Sequence, residues 1–276
     1  MSYAYAIANK LAGLSASAFT WATGPSDATR LYLNDGSMEA QMVCGSRASN
    51  NSVVIDLGSA MSIAGVAILN SNIAEASVPT MLIEAADNSA ITTNAVTPKS
   101  GTTLNLSAPN QKEHVLQFSA VSKRYWRITW GWGGSFNLKV GEIFLYAAPT
   151  VFTRTAVYGG LSEEEEIITA DSQGQNGAHR AAFIAGPIRE KRFAFADWTE
   201  SEKNELFTFW RATRGPVTPA LFIQSYETGS AAAAVAQQEC LFGKFEKARL
   251  KWNLTDFTIY GTDEMVLRSL SREVGS

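Results

Sequence analysis

The feature that most constrains this chain is a series of short apolar segments cut apart by turn residues, with no helical pattern between them. Val53-Val54-Ile55-Asp56-Leu57 ends at Gly58, Ile63-Ala64-Gly65-Val66-Ala67-Ile68-Leu69 ends at Asn70-Ser71-Asn72, and Thr80-Met81-Leu82-Ile83-Glu84-Ala85 ends at Asp87-Asn88. His114–Phe118, Tyr125–Trp130 and Val140–Tyr146 follow. Each is rich in β-branched or aromatic residues, which suit a pleated, half-buried surface. In Tyr125–Trp130, Trp126, Ile128 and Trp130 share one face while Arg127 and Thr129 share the other, because side chains alternate along a strand. Half-buried strands without crossover helices are expected to stack as a β-sandwich.

Ala147-Ala148-Pro149-Thr150 interrupts this pattern, and proline ends a strand cleanly. We therefore expect two domains, residues 1–148, with a core over about 20–147, and residues 149–276. The second is also mainly β, with strand-like segments at Val151–Tyr158, Ile167–Ala170, Ala181–Ala185, Arg189–Phe195, Ala220–Tyr226, Glu239–Phe245, Ala248–Leu254 and Phe257–Tyr260. It holds one expected helix, residues 200–213. Thr199-Glu200-Ser201-Glu202 is a capping-box sequence, in which the threonine hydroxyl and the glutamate satisfy each other's backbone amides. Leu206, Phe209, Trp210 and Thr213 then recur at helical spacing, and Gly215-Pro216 stops the helix.

Composition narrows the function classes. The net charge is −3 over 276 residues, with no clustered Lys and Arg, so nucleic-acid specificity is not expected. No apolar run approaches the roughly 20 residues of a membrane helix, so no membrane span is expected. Met1–Leu14 lacks the basic start and dense apolar block of a secretory signal. Cys44 and Cys240 are too few and too far apart for a disulfide framework, and are expected to be reduced, buried thiols.

No catalytic constellation emerges. The two histidines, His114 and His179, fall in separate halves, and there is no paired cysteine or histidine spacing for a metal. Gly243-Lys244 is followed by Phe245 where a phosphate-binding loop needs Ser or Thr, and no Gly-x-Ser-x-Gly elbow occurs. Glu163–Glu166 reads as a solvated acidic turn, since four adjacent carboxylates do not supply two separate acid and base environments. The chain is expected not to be an enzyme, with no catalytic residue, metal or cofactor.

Val53–Gly58 and Ile63–Ile68 resemble the paired strands of discoidin-like (coagulation-factor C-type, galactose-binding) sandwiches. Arg124-Tyr125-Trp126-Arg127-Ile128 and Gly141–Tyr146 are similar to that family's last strands. The resemblance implies ligand contact through loops at one end of the sandwich. Asn70 and Asn72, in a polar loop, and Trp132, in a Gly-rich turn, are the candidate contacts for a glycan or partner, since rings cover apolar sugar faces and amides pair with hydroxyls. The alternative for Trp132 is a plug at the sandwich end.

Arg192-Phe193-Ala194-Phe195, the segment Glu205–Arg211, Arg214-Gly215-Pro216 and Ala220–Ile223 resemble phage tail hub and distal tail proteins. That resemblance implies a β-barrel or sandwich hub domain with one flanking helix, built into a homo-oligomeric ring, with a hexamer favoured over a trimer. The expected role is a structural component of a long-tailed phage tail tip. It would contact tail-tube and tail-tip neighbours and be located in the virion tail after assembly in the host cytoplasm. The insertion Gly229–Gln238 is the candidate oligomer contact, through Ala231, Ala234, Gln237 and Gln238. The alternative from a different class is a carbohydrate-binding adhesin or accessory module that recognises a cell-surface glycan.

Overall fold

The computed structural model describes residues 2–23, 42–99, 113–153, 161–173, 179–193, 199–226, 240–246, 252–256, 259–262, 265–269 and 273–274. The chain divides into two compact units. One comprises Met1–Val151 together with Phe222–Cys240, and the other Phe152–Leu221 with Leu241–Ser276.

The first unit contains β1 (Ser2–Ala6), β2 (Phe19–Trp21), β3 (Met42–Val43), β4 (Asn50–Leu69), β5 (Ser77–Ala86), β6 (Val96–Lys99), β7 (His114–Gly133), β8 (Lys139–Val140), β9 (Glu142–Tyr146) and β10 (Thr150–Val151). β1 pairs with β10. The segments 53–57 and 63–69, expected as two strands, are one strand, and so are 114–118 and 125–130. The two long strands run antiparallel along their length. The register slips between Asp56 and Met61, where Gly58 takes φ 77° and its amide donates to Asp56 Oδ1 at 2.8 Å. Gly58 thus bends the strand where it was expected to end it, because pairing resumes at once from Met61 opposite Lys123.

The bend makes the sandwich. In one layer the order is β2, the first half of β4, the second half of β7, β5 and β6. In the other, the second half of β4 lies between the start of β7 and β9. Val53, Ile55, Met81, Ile83, Trp126, Ile128 and Trp130 from the first layer meet Val66, Ile68, Leu116, Phe118, Ile143 and Leu145 from the second. On the outer side of the first layer, Arg127 forks onto both Glu84 oxygens at 2.7 Å, and Arg124 grips Asp56 at 2.7 and 2.8 Å. The Arg124 guanidinium holds the Asp56 carboxyl below its ordinary range.

The second layer is buried on both faces, since Ala67, Leu69, Val115, Phe144 and Tyr146 are also covered. Gly65 is required there. A Cβ at this position would come within 2.1 Å of the Tyr146 ring. His114 is fully buried at the head of β7. Cys44 is buried outside any disulfide, and burial pushes its thiol up to about 11; Cys240 is likewise buried and in no disulfide.

The second unit contains β11 (Leu161–Gln173), β12 (His179–Phe193), α1 (Glu200–Ala212), β14 (Cys240–Phe245), β15 (Trp252–Asp256), β16 (Ile259–Thr262), β17 (Met265–Ser269) and β18 (Glu273–Val274). β13 (Ala220–Tyr226) and β14 each begin in one unit and end in the other. β14, β17, β12 and β11 lie in a row, with β18 also on β12. β15 and β16 form a separate hairpin.

Two expectations are corrected here. A closed barrel needs its last strand to pair with its first, whereas β11 is at the margin of its sheet, so no sheet closes among the described residues. Glu163–Glu166 is not a turn but part of β11. Along the ladder Glu163 lies opposite Lys191, Glu164 opposite Glu190 and Glu165 opposite Arg189. Residues 231–239, with the expected oligomer contacts Ala231, Ala234, Gln237 and Gln238, lie outside the described residues.

The capping box at α1 is formed. The Thr199 amide donates to Glu202 Oε2 at 2.8 Å, and the Glu202 amide donates back to the Thr199 hydroxyl at 3.4 Å. Thr199→Ala is expected to lower the stability of this unit by about 1 kcal/mol. Urea denaturation followed by circular dichroism measures it, and an unchanged midpoint would mean that the cap is dispensable.

Candidate functional site

Because β4 and β7 each turn back at their bends, both ends of each strand reach the same end of the sandwich. The residues at that end therefore include Trp21–Thr23, Cys44–Asn50, Asn70–Ser77 and Gly131–Gly141. Its frame is held by hydrogen bonds that the linear pattern does not reveal. Asn51, almost fully buried, accepts the Thr23 amide at 3.2 Å and donates to the Thr23 carbonyl at 3.2 Å. The Trp132 amide donates to the Ser49 carbonyl at 2.7 Å, and its indole N–H to the Arg47 carbonyl at 3.0 Å. Arg47 and Phe136 form an isolated antiparallel bridge.

The expected contact residues are all at this end. Asn70 is buried and takes φ 50°, which lets the chain turn out of β4. A Cβ at Gly141 would come within 2.8 Å of Asn70 Cβ, so the two turns interlock. Asn72 is half-buried; its Oδ1 accepts the Lys139 amide at 2.7 Å and its amide group donates to the Asn137 carbonyl at 3.0 Å. Trp132 is buried, with its ring edge-on to Phe136 at 5.5 Å. It occupies the plug position rather than standing free in the Gly-rich turn. β7 itself runs through Gly133, so that turn begins later than the glycines suggest.

Other side chains reach the surface here. Trp21 is half-buried, with one face stacked on the fully buried Trp130 at 6.0 Å and 10° between planes. Arg47 is half-buried, and its guanidinium donates to the Ala22 carbonyl at 3.5 Å, next to Trp21. Asn50 is exposed at the start of β4, and Phe136 is half-buried beside Trp132. Sequence reading missed these residues because Phe19–Trp21 is only three residues long and Arg47 sits outside any regular strand. The one available signal was the Phe-Thr-Trp alternation itself.

Among the described residues no group of three or more His, Cys, Asp or Glu is placed to hold a metal. No helix among them is long and apolar enough to cross a membrane.

No family model and no curated protein sequence matches the chain. Solved structures similar to it include chitosan-binding module 1 from a chitosanase/glucanase of Paenibacillus sp. IK-5, at 18% identity and TM-score 0.40, covering 51% of this chain and 99% of that one. A module from a family 31 glycoside hydrolase of Clostridium perfringens is similar at 17% identity and TM-score 0.38, covering 49% of this chain and 94% of that one. The lectin domain of lectinolysin, complexed with Lewis B antigen, is similar at 16% identity and TM-score 0.39, covering 51% and 97%.

The expectation of a phage tail-tip component is corrected accordingly. None of the three structures just named is a distal tail or hub protein. Of the barrel or sandwich that the hub resemblance implied, the barrel is not formed, since no sheet closes among the described residues. A virion ring, with its tail-tube and tail-tip neighbours, is not retained.

Proposed function

We propose that the first unit is a non-catalytic carbohydrate-binding module whose contact surface is the loop-bearing end of its sandwich. The observation that carries this reading is the half-buried Trp21 ring, stacked on Trp130, with the Arg47 guanidinium donating to the carbonyl of the next residue, Ala22. An aromatic face covers the apolar face of a sugar ring, while guanidinium and amide groups pair with its hydroxyls. Trp21 is preset by Trp130 behind it, and the loops by Asn51, Asn72 and Trp132, so little ordering is left to occur on binding. The partner class is a cell-surface or polymeric glycan.

The test is a glycan array probed with the full chain, followed by titration of the oligosaccharide bound most strongly. Trp21→Ala is expected to weaken binding at least tenfold, about 1.4 kcal/mol, while the circular dichroism spectrum is retained. Arg47→Ala, which leaves the stacked pair intact, is expected to weaken it as well. If the full chain binds no glycan, or if both variants bind as tightly as the parent, the reading is wrong.

A further inference from the structure

The described arginines of the first unit are Arg47, Arg124 and Arg127. Two of them fork onto carboxylates. Arg127 holds both oxygens of Glu84, and Arg124 both oxygens of Asp56. Exposure does not prevent such pairing, since the Arg124 side chain is 43% exposed. Arg47 differs from both. It is half-buried, yet among the described residues its guanidinium makes a single long hydrogen bond, 3.5 Å to the Ala22 carbonyl, and no ion pair. A guanidinium carries five N–H donors in a planar fork that fits an oxyanion such as a carboxylate. Most of that fork is left to solvent or to a ligand, beside the residue that follows Trp21.

The backbone of Arg47 is fixed. Its amide donates to the Phe136 carbonyl at 3.1 Å, and its carbonyl accepts the Phe136 amide at 3.0 Å and the Trp132 indole N–H at 3.0 Å. This bridge lies on the same ribbon as the pairing of β3 with β8. Lys139 is exposed on that ribbon, opposite Val43, and it too forms no ion pair among the described residues. The one carboxylate in the described segments at this end, Glu75, is exposed and pairs with neither cation. Two cations on one braced ribbon therefore keep their charge available, and a preset guanidinium loses little freedom when it is engaged.

We propose that the glycan taken at this site is acidic, bearing a carboxylate or sulfate group that the Arg47 fork grips while an apolar sugar face lies on Trp21. This names the ligand class of the carbohydrate-binding reading above and rests on it. A neutral sugar offers the guanidinium only hydroxyl acceptors, whereas a hydrogen bond between two ionised groups is roughly twice as strong and can be made at two points. Lys139 attracts the same charge from further along the ribbon. Arg47 thus discriminates an acidic sugar from its neutral counterpart, while the Trp21 ring serves both alike.

The experiment titrates the full chain with two matched pairs of probes, a uronic-acid oligosaccharide with its carboxyl-reduced counterpart and a sulfated oligosaccharide with its desulfated counterpart. The parent is expected to bind the acidic member of at least one pair about tenfold more tightly than the neutral member, and to lose that margin as ionic strength rises. The pair that shows the margin identifies the anion. Arg47→Gln is expected to bring the two members to within about twofold of each other, whereas Trp21→Ala weakens both and keeps the margin. A purely structural role for Arg47 would weaken both members together. A margin that survives in Arg47→Gln overturns the assignment to Arg47. If the parent binds only neutral glycans, or binds neutral members as tightly as acidic ones, and loses them with Trp21→Ala, the acidic class is wrong and the carbohydrate reading stands. If the parent binds no glycan, both fall.

Discussion

Trp126→Ala is expected to destabilise the first unit by about 3–5 kcal/mol, the range of large aromatic truncations in a packed core. The ring has no exposed surface and stacks on Phe118 at 5.8 Å with 22° between planes. Its indole N–H donates to the Lys123 carbonyl at 3.2 Å, just after the bend of β7. Trp126 also sits opposite Ile55 on β4 and Ala85 on β5, so it packs where three strands of one layer face Phe118 of the other. A domain is stable by only about 5–15 kcal/mol, so this loss removes a large part of the total. Urea titration followed by circular dichroism measures it. Tyr125→Ala, at the neighbouring half-exposed position, is the control, with an expected loss of about 1 kcal/mol or less. Equal losses at the two positions would overturn the assignment of inner and outer faces.

Phe209→Ala is expected to cost the second unit about 3–5 kcal/mol. Phe209 is the largest buried side chain of α1 and meets Phe245 at 5.0 Å and Phe152 at 5.9 Å, both edge-on. Trp210, which shares the helical stripe in the sequence, is half-buried and covers Gly215, whose amide closes the helix end onto the Trp210 carbonyl at 2.9 Å. Trp210→Ala is therefore expected to cost clearly less than Phe209→Ala, despite removing more atoms. Parallel melts of the two variants decide it, and the reverse order would place Trp210 against the sheet.

Much of the candidate site was hidden from the sequence. Asn70 and Asn72 read as a polar loop open to a ligand, because amides beside a strand end look the same whether they meet solvent or backbone. In the fold, Asn72 is bound to Asn137 and Lys139, 65 and 67 residues away. Trp132 likewise reaches Arg47, 85 residues away. Trp21 and Arg47 carried no motif, and only the tertiary fold brings the Arg47 guanidinium onto the Ala22 carbonyl, next to Trp21.

The apolar run Val53–Leu57 and the alternation within Tyr125–Trp130 determined, without any structure, that these segments are strands and, in the second, which side chains face the core. The Thr199–Glu202 box likewise determined where α1 begins. Those outcomes depend on neighbours a few residues apart, where a period of two or a capping hydrogen bond acts directly on the local chain. Whether Gly58 ends a strand or bends it was decided by tertiary structure, since the answer lies in Met61 pairing with Lys123, 62 residues on in the chain. The same is true of Glu163–Glu166, which reads as a turn until backbone pairing with β12 makes it part of a strand. The open edge at β11 is also a tertiary outcome, because closing a sheet depends on how all its strands twist and stagger together, and no short stretch of sequence encodes that.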